Sequence, residues 1–147
     1  MKRYFAYGSN MSEEQMAEPE RAPDAKKIGV AVLSNYEFFI NARGVASISE
    51  KPSKFVQGIV YEISETDEKK LDKREGVPKY YTKQDILALD AFTYVATDNT
   101  NNPRSPQKQK EYLEKIIEVA ENNPFTSEYK EELHGWYKRV AKLQPLK

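Results

Sequence analysis

Two short motifs, lying about half the chain apart, combine residue types that can do chemistry. The first is Tyr7-Gly8-Ser9-Asn10, and the second is Leu71-Asp72-Lys73-Arg74-Glu75-Gly76 at the end of a predicted helix. Gly8 and Asn10 tolerate the backbone angles of a tight turn, and a turn before a helix can present backbone N–H groups to an anion. Glu75 is a candidate acid or base. Together the motifs favour an enzyme with one working carboxylate.

Each motif also has a purely structural interpretation. The first can be a turn that only ends a strand, and Glu75 can belong to a solvated run of charges with Asp72, Lys73 and Arg74. Leu71 and Glu75 are four residues apart, however, and on a helix they share one face. An apolar residue at position 71 would therefore turn Glu75 toward the interior, which is an unusual place for a surface glutamate.

The composition predicts a small, soluble, cytoplasmic protein. A chain of 147 residues is long enough for one domain and too short for two ordinary ones, so residues 1–147 are predicted to form one domain. Lysine plus arginine equals aspartate plus glutamate at 23 each, which disfavours nucleic acid and membranes as partners. The absence of cysteine excludes disulfides and thiol nucleophiles. The first apolar run is too short for a signal peptide.

Alternation and turn residues predict the strands. Residues 55–63 alternate such that both faces carry apolar side chains, which is typical of a central strand. The other predicted strands cover residues 3–7, 28–33 with 36–40 (two strands or one bent strand), 45–49, and a pair over 80–90 and 91–97. The polar run from Asp98 to Asn102 is predicted to be a turn, because it lacks the glycine and glutamate of a calcium loop.

Capping signals and apolar stripes predict four helices. Ser12 to Gln15 has the spacing of a capping box directly after the Tyr-Gly-Ser-Asn turn. Residues 66–74 form a charged helix that Gly76 ends. Ser105-Pro106 begins a third helix with a buried stripe, and a fourth helix follows it. The stripes consist of Leu113, Ile116, Ile117 and Ala120, and then Tyr129, Leu133, Trp136, Tyr137 and Val140. The pattern indicates a mixed sheet with helices around it.

The order of the motifs resembles the gamma-glutamylcyclotransferase (AIG2-like) family. The similarity runs from about Tyr4 to Tyr129. The stretches that carry it are Tyr4 to Asn10, Gly44 to Ile48, Gln57 to Tyr61, Leu71 to Val77, Tyr94 to Thr97 and Ser105-Pro106-Gln107. The resemblance implies an α+β fold in which a mixed, barrel-like sheet is surrounded by helices. It also implies a small-molecule γ-glutamyl substrate.

The resemblance also implies a reaction. Members of this family convert a γ-glutamyl amino acid to 5-oxoproline and the free amino acid, without a cofactor. The α-amine of the substrate attacks its own γ-carbonyl, and one carboxylate can carry both proton transfers. Glu75 matches the family's catalytic glutamate and is the predicted general acid and base.

The resemblance places the substrate among a turn and several tyrosines. The backbone N–H groups of Tyr7, Gly8, Ser9 and Asn10 would hold the α-carboxylate or the developing oxyanion. Tyr81 and Tyr94 match pocket tyrosines, although the loop before Tyr81 is one residue shorter and Tyr80 can take its place. Core packing is the alternative for each ring. After Ser-Pro-Gln the family carries a substrate-facing tyrosine, whereas this chain has Lys108.

Other interpretations remain at this point. The chain can act on γ-glutamyl amines instead of γ-glutamyl amino acids, or it can be a non-catalytic ligand-binding protein of the same fold. No metal site is predicted, and His134 is predicted to lie on a helix surface rather than in a Ser-His-Asp set. Exposed aromatic residues leave both a monomer and a homodimer open.

Overall fold

The computed structural model describes residues 1–98 and 106–142, with side chains from Gln109 onward in the second segment. Five strands form one sheet: β1 (Lys2–Ala6), β2 (Lys26–Ile40), β3 (Ala46–Ile63), β4 (Tyr81–Ile86) and β5 (Ala91–Ala96). Their order is β2-β3-β1-β5-β4. The β1–β5 pair is parallel, and the other pairs are antiparallel. The predicted mixed sheet of an α+β protein is therefore confirmed.

Strands β2 and β3 form a long hairpin. Residues 28–33 and 36–40 belong to one bent strand, with a bulge at Asn35, whose φ is 64°. The segments predicted separately at 45–49 and 55–63 both lie in β3. Pairing changes from Ser34 opposite Phe55 to Tyr36 opposite Glu50. Residues 51–54 therefore bulge out between paired segments, which is why the sequence pattern divides there.

The sheet curls without closing among the described strands. The edge strands β2 and β4 approach each other where the Gln84 side-chain amide donates to the Tyr36 hydroxyl at 2.9 Å. On the inner side, the backbone N–H of Ala96 on β5 donates to the Ser47 hydroxyl on β3 at 3.0 Å. These contacts are made by side chains rather than by a backbone ladder. The predicted barrel-like shape is thus a curled sheet.

Four helices accompany the sheet: α1 (Glu13–Met16), α2 (Glu65–Glu75), α3 (Pro106–Glu121) and α4 (Ser127–Ala141). The N-cap half of the predicted capping box at α1 is confirmed, because the Ser12 hydroxyl accepts the Gln15 N–H at 3.2 Å. The other half does not form, since the Ser12 N–H donates to the Ser9 oxygen and the Gln15 side chain donates to Ser9 and Asn10. Gly76 ends α2 in the left-handed conformation, at φ 67°. Ser105 and the predicted turn from Asn99 to Asn102 lie outside the described residues. Over the described ranges, no helix is both long and apolar enough to cross a bilayer.

Helices α3 and α4 pack on the sheet through the predicted stripes. Leu113, Ile116, Ala120, Tyr129, Leu133 and Val140 are buried. The start of α4 is fixed to β3, because the Gln57 side-chain oxygen accepts the Thr126 N–H at 2.7 Å. The two long helices therefore cover part of the sheet. A cavity lies beside the end of β1.

Strands β1 and β3 approach closely at Gly58. A Cβ atom at this position would lie 2.3 Å from the Ala6 carbonyl oxygen and 2.8 Å from the Phe5 ring. Only a hydrogen atom fits there. Glycine is therefore the one residue that lets the two backbones approach this closely. Because Ala6 directly precedes Tyr7, this approach also sets the position of the turn at residues 7–10.

Candidate active site

A cavity of about 220 Å³ lies where the end of β1, the end of α2 and the first turns of α3 meet. All the predicted site residues line it: Tyr7, Gly8, Ser9, Asn10, Glu75, Tyr81 and Tyr94. Tyr80, the alternative to Tyr81, lines it as well. The fold therefore brings together two motifs that are far apart in the chain. The volume suits a small molecule and not a polymer.

Glu75 is the last residue of α2 and projects into the cavity. Leu71, one turn earlier on the same face, is fully buried, while Glu75 is half-buried. Burial raises the pKa of Glu75 above its usual value, and the hydrogen bond from Asn10 and the charges of Arg21 and Arg74 oppose this in part. A carboxylate in this setting can take up a proton and return it.

The Asn10 side chain holds Glu75 in place. Its amide nitrogen donates to a carboxylate oxygen of Glu75 at 2.9 Å and to the Tyr4 hydroxyl at 3.1 Å. Its amide oxygen accepts from Arg21 at 2.8 Å and from the Gln15 side-chain nitrogen at 3.0 Å. Guanidinium groups donate and never accept, so Arg21 fixes the amide oxygen on its own side. The amide nitrogen must then face Glu75.

Arg21 is a component of the site that the sequence did not reveal. Its side chain is nearly buried, and its Nε donates to a carboxylate oxygen of Glu18 at 2.8 Å. The residue lies in a polar loop between α1 and β2, where charged side chains are usually solvated. Tyr4 was also missed, because it sits in an apolar strand that indicates only core packing. No spacing signal in the sequence distinguishes either residue from its neighbours.

The predicted tyrosines form walls of the cavity and direct their hydroxyl groups into the protein. The Tyr7 hydroxyl donates to the backbone oxygen of Tyr94. The Tyr81 hydroxyl donates to the Ala46 oxygen at 2.9 Å, and the Tyr94 hydroxyl donates to Asp72 at 2.7 Å. Burial raises the pKa of all three phenols. The three phenols are therefore neutral. Their hydroxyl groups are bonded to the protein, so only their rings can contact a ligand.

Helix α3 supplies a tyrosine that the sequence did not indicate. Tyr112 lines the cavity, and its hydroxyl accepts the Ala46 N–H at 3.3 Å. Burial raises its pKa to about 12. It follows Lys108 by four residues, which is close to one helical turn, so both positions share a face. The side chain of Lys108 is outside the described residues, whereas Tyr112 places its ring in the cavity lining.

Gly8 makes room for Tyr112. A Cβ atom at position 8 would lie 2.9 Å from the Tyr112 hydroxyl oxygen. A larger residue would therefore push the ring or the turn away from the cavity. The glycine of the Tyr-Gly-Ser-Asn motif thus allows close packing against α3, whereas its φ of −109° does not itself require glycine.

The lining of the cavity is cationic. Among the described residues it contains one carboxylate, Glu75, and three guanidinium groups, those of Arg21, Arg43 and Arg74. The guanidinium carbon of Arg43 lies 4.0 Å from the ring centroid of Tyr80, which is partly exposed. This charge balance favours an anionic ligand.

His134 lies on the outer surface of α4, as predicted. Its side chain is 49% exposed, and its Nε2 lies 3.5 Å from a carboxylate oxygen of Glu121. It is not among the residues that line the cavity.

Comparisons with known proteins show the family and the fold. The family model described as Gamma-glutamyl cyclotransferase, AIG2-like matches residues 4–114. The gamma-glutamylcyclotransferase of Homo sapiens is 28% identical over 92% of this chain and 87% of that protein, and that of Bos taurus is 30% identical over 90% and 77%. A solved gamma-glutamyl cyclotransferase structure superposes with a TM-score of 0.73 at 26% identity, over 99% of this chain and 89% of that one. The chain therefore belongs to the AIG2-like gamma-glutamyl cyclotransferase family.

Proposed function

We propose that this protein is a gamma-glutamylcyclotransferase that releases 5-oxoproline from γ-glutamyl amino acids, with Glu75 as the general acid and base. The observation that carries the proposal is the hydrogen bond between Asn10 of the turn and Glu75 of α2, at 2.9 Å in a small cationic cavity. It joins the two motifs into one site. Membership of the family and the buried carboxylate both support this function.

In the proposed reaction, Glu75 moves two protons in turn from the α-nitrogen of the substrate to the leaving nitrogen. The ionised carboxylate takes a proton from the α-ammonium group, and the free amine then attacks the γ-carbonyl carbon. A new carbon–nitrogen bond closes the five-membered ring, and the carbonyl oxygen carries the negative charge. When the bond to the leaving nitrogen breaks and the carbonyl re-forms, protonated Glu75 gives its proton to that nitrogen. The ring nitrogen still carries a second proton and a positive charge, and ionised Glu75 passes this proton to the departing amine, which leaves as an ammonium group. Atoms and charges balance without water, metal or cofactor.

The turn at residues 7–10 would hold the anionic parts of the substrate. Helix α1 has only four residues, so its dipole adds little, and the backbone N–H groups themselves supply the attraction. The tyrosine rings would hold the methylene groups of the glutamyl chain in a folded conformation. Folding the chain brings the amine to the carbonyl and removes most of the entropic cost of ring closure.

The test is a measurement of 5-oxoproline release from matched γ-glutamyl amino acids and γ-glutamyl amines. We expect release from γ-glutamyl amino acids. Release from the amines alone would make the protein a γ-glutamylamine cyclotransferase. Binding of these compounds without release of 5-oxoproline would contradict the enzymatic proposal and identify a ligand-binding protein.

Replacing Arg21 by Gln should shift the acidic limb of the pH–rate profile to higher pH. The Arg21 charge lowers the pKa of Glu75, so its removal raises that pKa. The base works only when ionised, so kcat/KM should fall several-fold on the acidic side and recover as the pH rises. The measurement is kcat/KM for 5-oxoproline release across the pH range.

Arg21→Lys is the matched control, because it keeps the positive charge. Its acidic limb should stay close to that of the parent protein. An Arg21→Gln profile that is lowered equally at every pH would contradict the electrostatic role and leave only a structural one.

A further inference from the structure

The turn between β2 and β3 is rigidly built and carries Arg43. Asn41 is fully buried, and its side-chain oxygen accepts the N–H groups of Arg43 at 3.0 Å and Val45 at 3.3 Å. The backbone of the turn is closed by the bond from Asn41 N–H to the Val45 oxygen at 3.0 Å. Gly44 has φ 83° and packs against the buried Gln109 side chain. The position of the Arg43 backbone is therefore well defined.

A chain of contacts connects Arg43 to the reacting end of the cavity. Its guanidinium group stacks on the Tyr80 ring, with the central carbon 4.0 Å from the ring centroid. Tyr80 in turn packs against Gly76, where a Cβ atom would lie 2.7 Å from the ring. Gly76 directly follows Glu75. Arg43 lines the cavity and is exposed, so it lies at the cavity mouth.

Arg43 is free to bind an anion. In the part of the chain that the structure describes, the ion pairs include no carboxylate partner for Arg43, whereas Arg21 is already held by Glu18 and Asn10. Stacking uses the face of a guanidinium group and leaves its N–H donors in the plane, where they can bind a carboxylate with two hydrogen bonds. Arg74 also lines the cavity, but it adjoins Glu75 in the chain and its charge acts on that carboxylate.

We infer that Arg43 binds the carboxylate of the leaving amino acid and so selects γ-glutamyl α-amino acids over γ-glutamyl amines. The inference rests on the proposed function, because it assumes that the glutamyl half lies against Glu75. A γ-glutamyl amino acid carries two carboxylates, and the turn at residues 7–10 would hold only the one on the glutamyl half. The second carboxylate then reaches the mouth of the cavity, where Arg43 lies. A γ-glutamyl amine has no such group.

Calorimetry with two ligands tests this inference without turnover. γ-Glutamylalanine and γ-glutamylethylamine differ only by the carboxylate of the leaving group, and the Glu75→Gln background prevents reaction. In that background we expect γ-glutamylalanine to bind about tenfold tighter or more. Adding Arg43→Gln should weaken binding of γ-glutamylalanine alone and bring the ratio close to one. A ratio that Arg43→Gln leaves unchanged, or an equal loss for both ligands, would overturn the inference.

Two further variants separate charge from geometry. Lys79→Gln is the matched control, because the Lys79 ammonium lies 5.1 Å from the same Tyr80 ring but outside the cavity lining. It should leave the ligand ratio unchanged. Arg43→Lys keeps the charge but not the planar fork, and should give an intermediate ratio.

Failure of the inference and failure of the proposed function give different results. If the parent protein releases 5-oxoproline from both compounds equally well, with or without Arg43, the proposed function stands and the inference falls. If it releases none but the Glu75→Gln background discriminates through Arg43, the inference stands for a binding protein and the proposed function falls.

Discussion

Replacing Glu75 by Gln is expected to lower kcat for 5-oxoproline release by about 10³-fold or more. The amide keeps the shape of the side chain and can still accept the hydrogen bond from Asn10, which measures 2.9 Å in the parent protein. It cannot take a proton from the substrate amine or return one to the leaving group. The measurement is kcat at saturating substrate, because the effect lies on the chemical steps and not on binding.

Glu65→Gln is the control for this variant. Glu65 begins the same helix, and its side chain is 85% exposed. It should retain the parental kcat. A Glu75→Gln protein with nearly parental kcat would show that another group carries the proton, and the mechanism would have to be abandoned.

The same variant should be more stable than the parent protein near neutral pH. Burial raises the pKa of Glu75, so ionisation of this group opposes folding. That penalty is absent below the usual glutamate pKa, grows as the pH rises from the usual value to the raised one, and is constant above it. Glu75→Gln escapes it, so its melting temperature should exceed the parental one at neutral pH and approach it in acid. A less stable variant at neutral pH would contradict this assignment.

Replacing Gly58 by Ala should lower the free energy of unfolding by about 3 kcal/mol. The added methyl group would lie 2.3 Å from the Ala6 carbonyl oxygen, which is backbone and cannot rotate away. Strands β1 and β3 must then separate where they pair most closely. Urea unfolding measures the loss, and activity should fall as well because Ala6 leads directly into the turn at Tyr7.

Gly135→Ala is the matched control for Gly58. Gly135 lies within α4, and no atom comes within 4 Å of the position that its Cβ would occupy. The same substitution there should stabilise the protein by up to about 1 kcal/mol, since alanine favours a helix more than glycine does. If the two variants had equal stability, the close approach at Gly58 would not be the cause.

Local patterns predicted most of the elements. The apolar stripe from Leu113 to Ala120 predicted helix α3 correctly, because these residues form the buried face of that helix. Gly76 predicted where α2 ends, because the residue after the helix has φ 67°, which few residues other than glycine adopt without strain. The spacing of four residues between Leu71 and Glu75 predicted that the Glu75 carboxylate points inward, because residues four apart share one face of a helix. Each of these signals acts within a few residues of the chain.

The contacts that complete the site could not be predicted in this way. Arg21 reaches Asn10 across a polar loop, and the bulge at residues 51–54 depends on the partner strand rather than on its own sequence. Tyr112 was missed because its position on an amphipathic helix does not distinguish a cavity-lining tyrosine from one that only packs in the core. Such features depend on which distant segments meet.

The place of Glu75 at the end of α2 has an electrostatic consequence. The carbonyl groups at the C-terminus of a helix carry a partial negative charge, so they repel an ionised carboxylate and favour lysine or arginine instead. Lys73 and Arg74 follow that preference, and Glu75 opposes it. The helix itself therefore makes this glutamate easier to protonate, in the same direction as its burial. Substitutions that make the end of α2 more stable would therefore tend to replace Glu75, the residue on which turnover is proposed to depend.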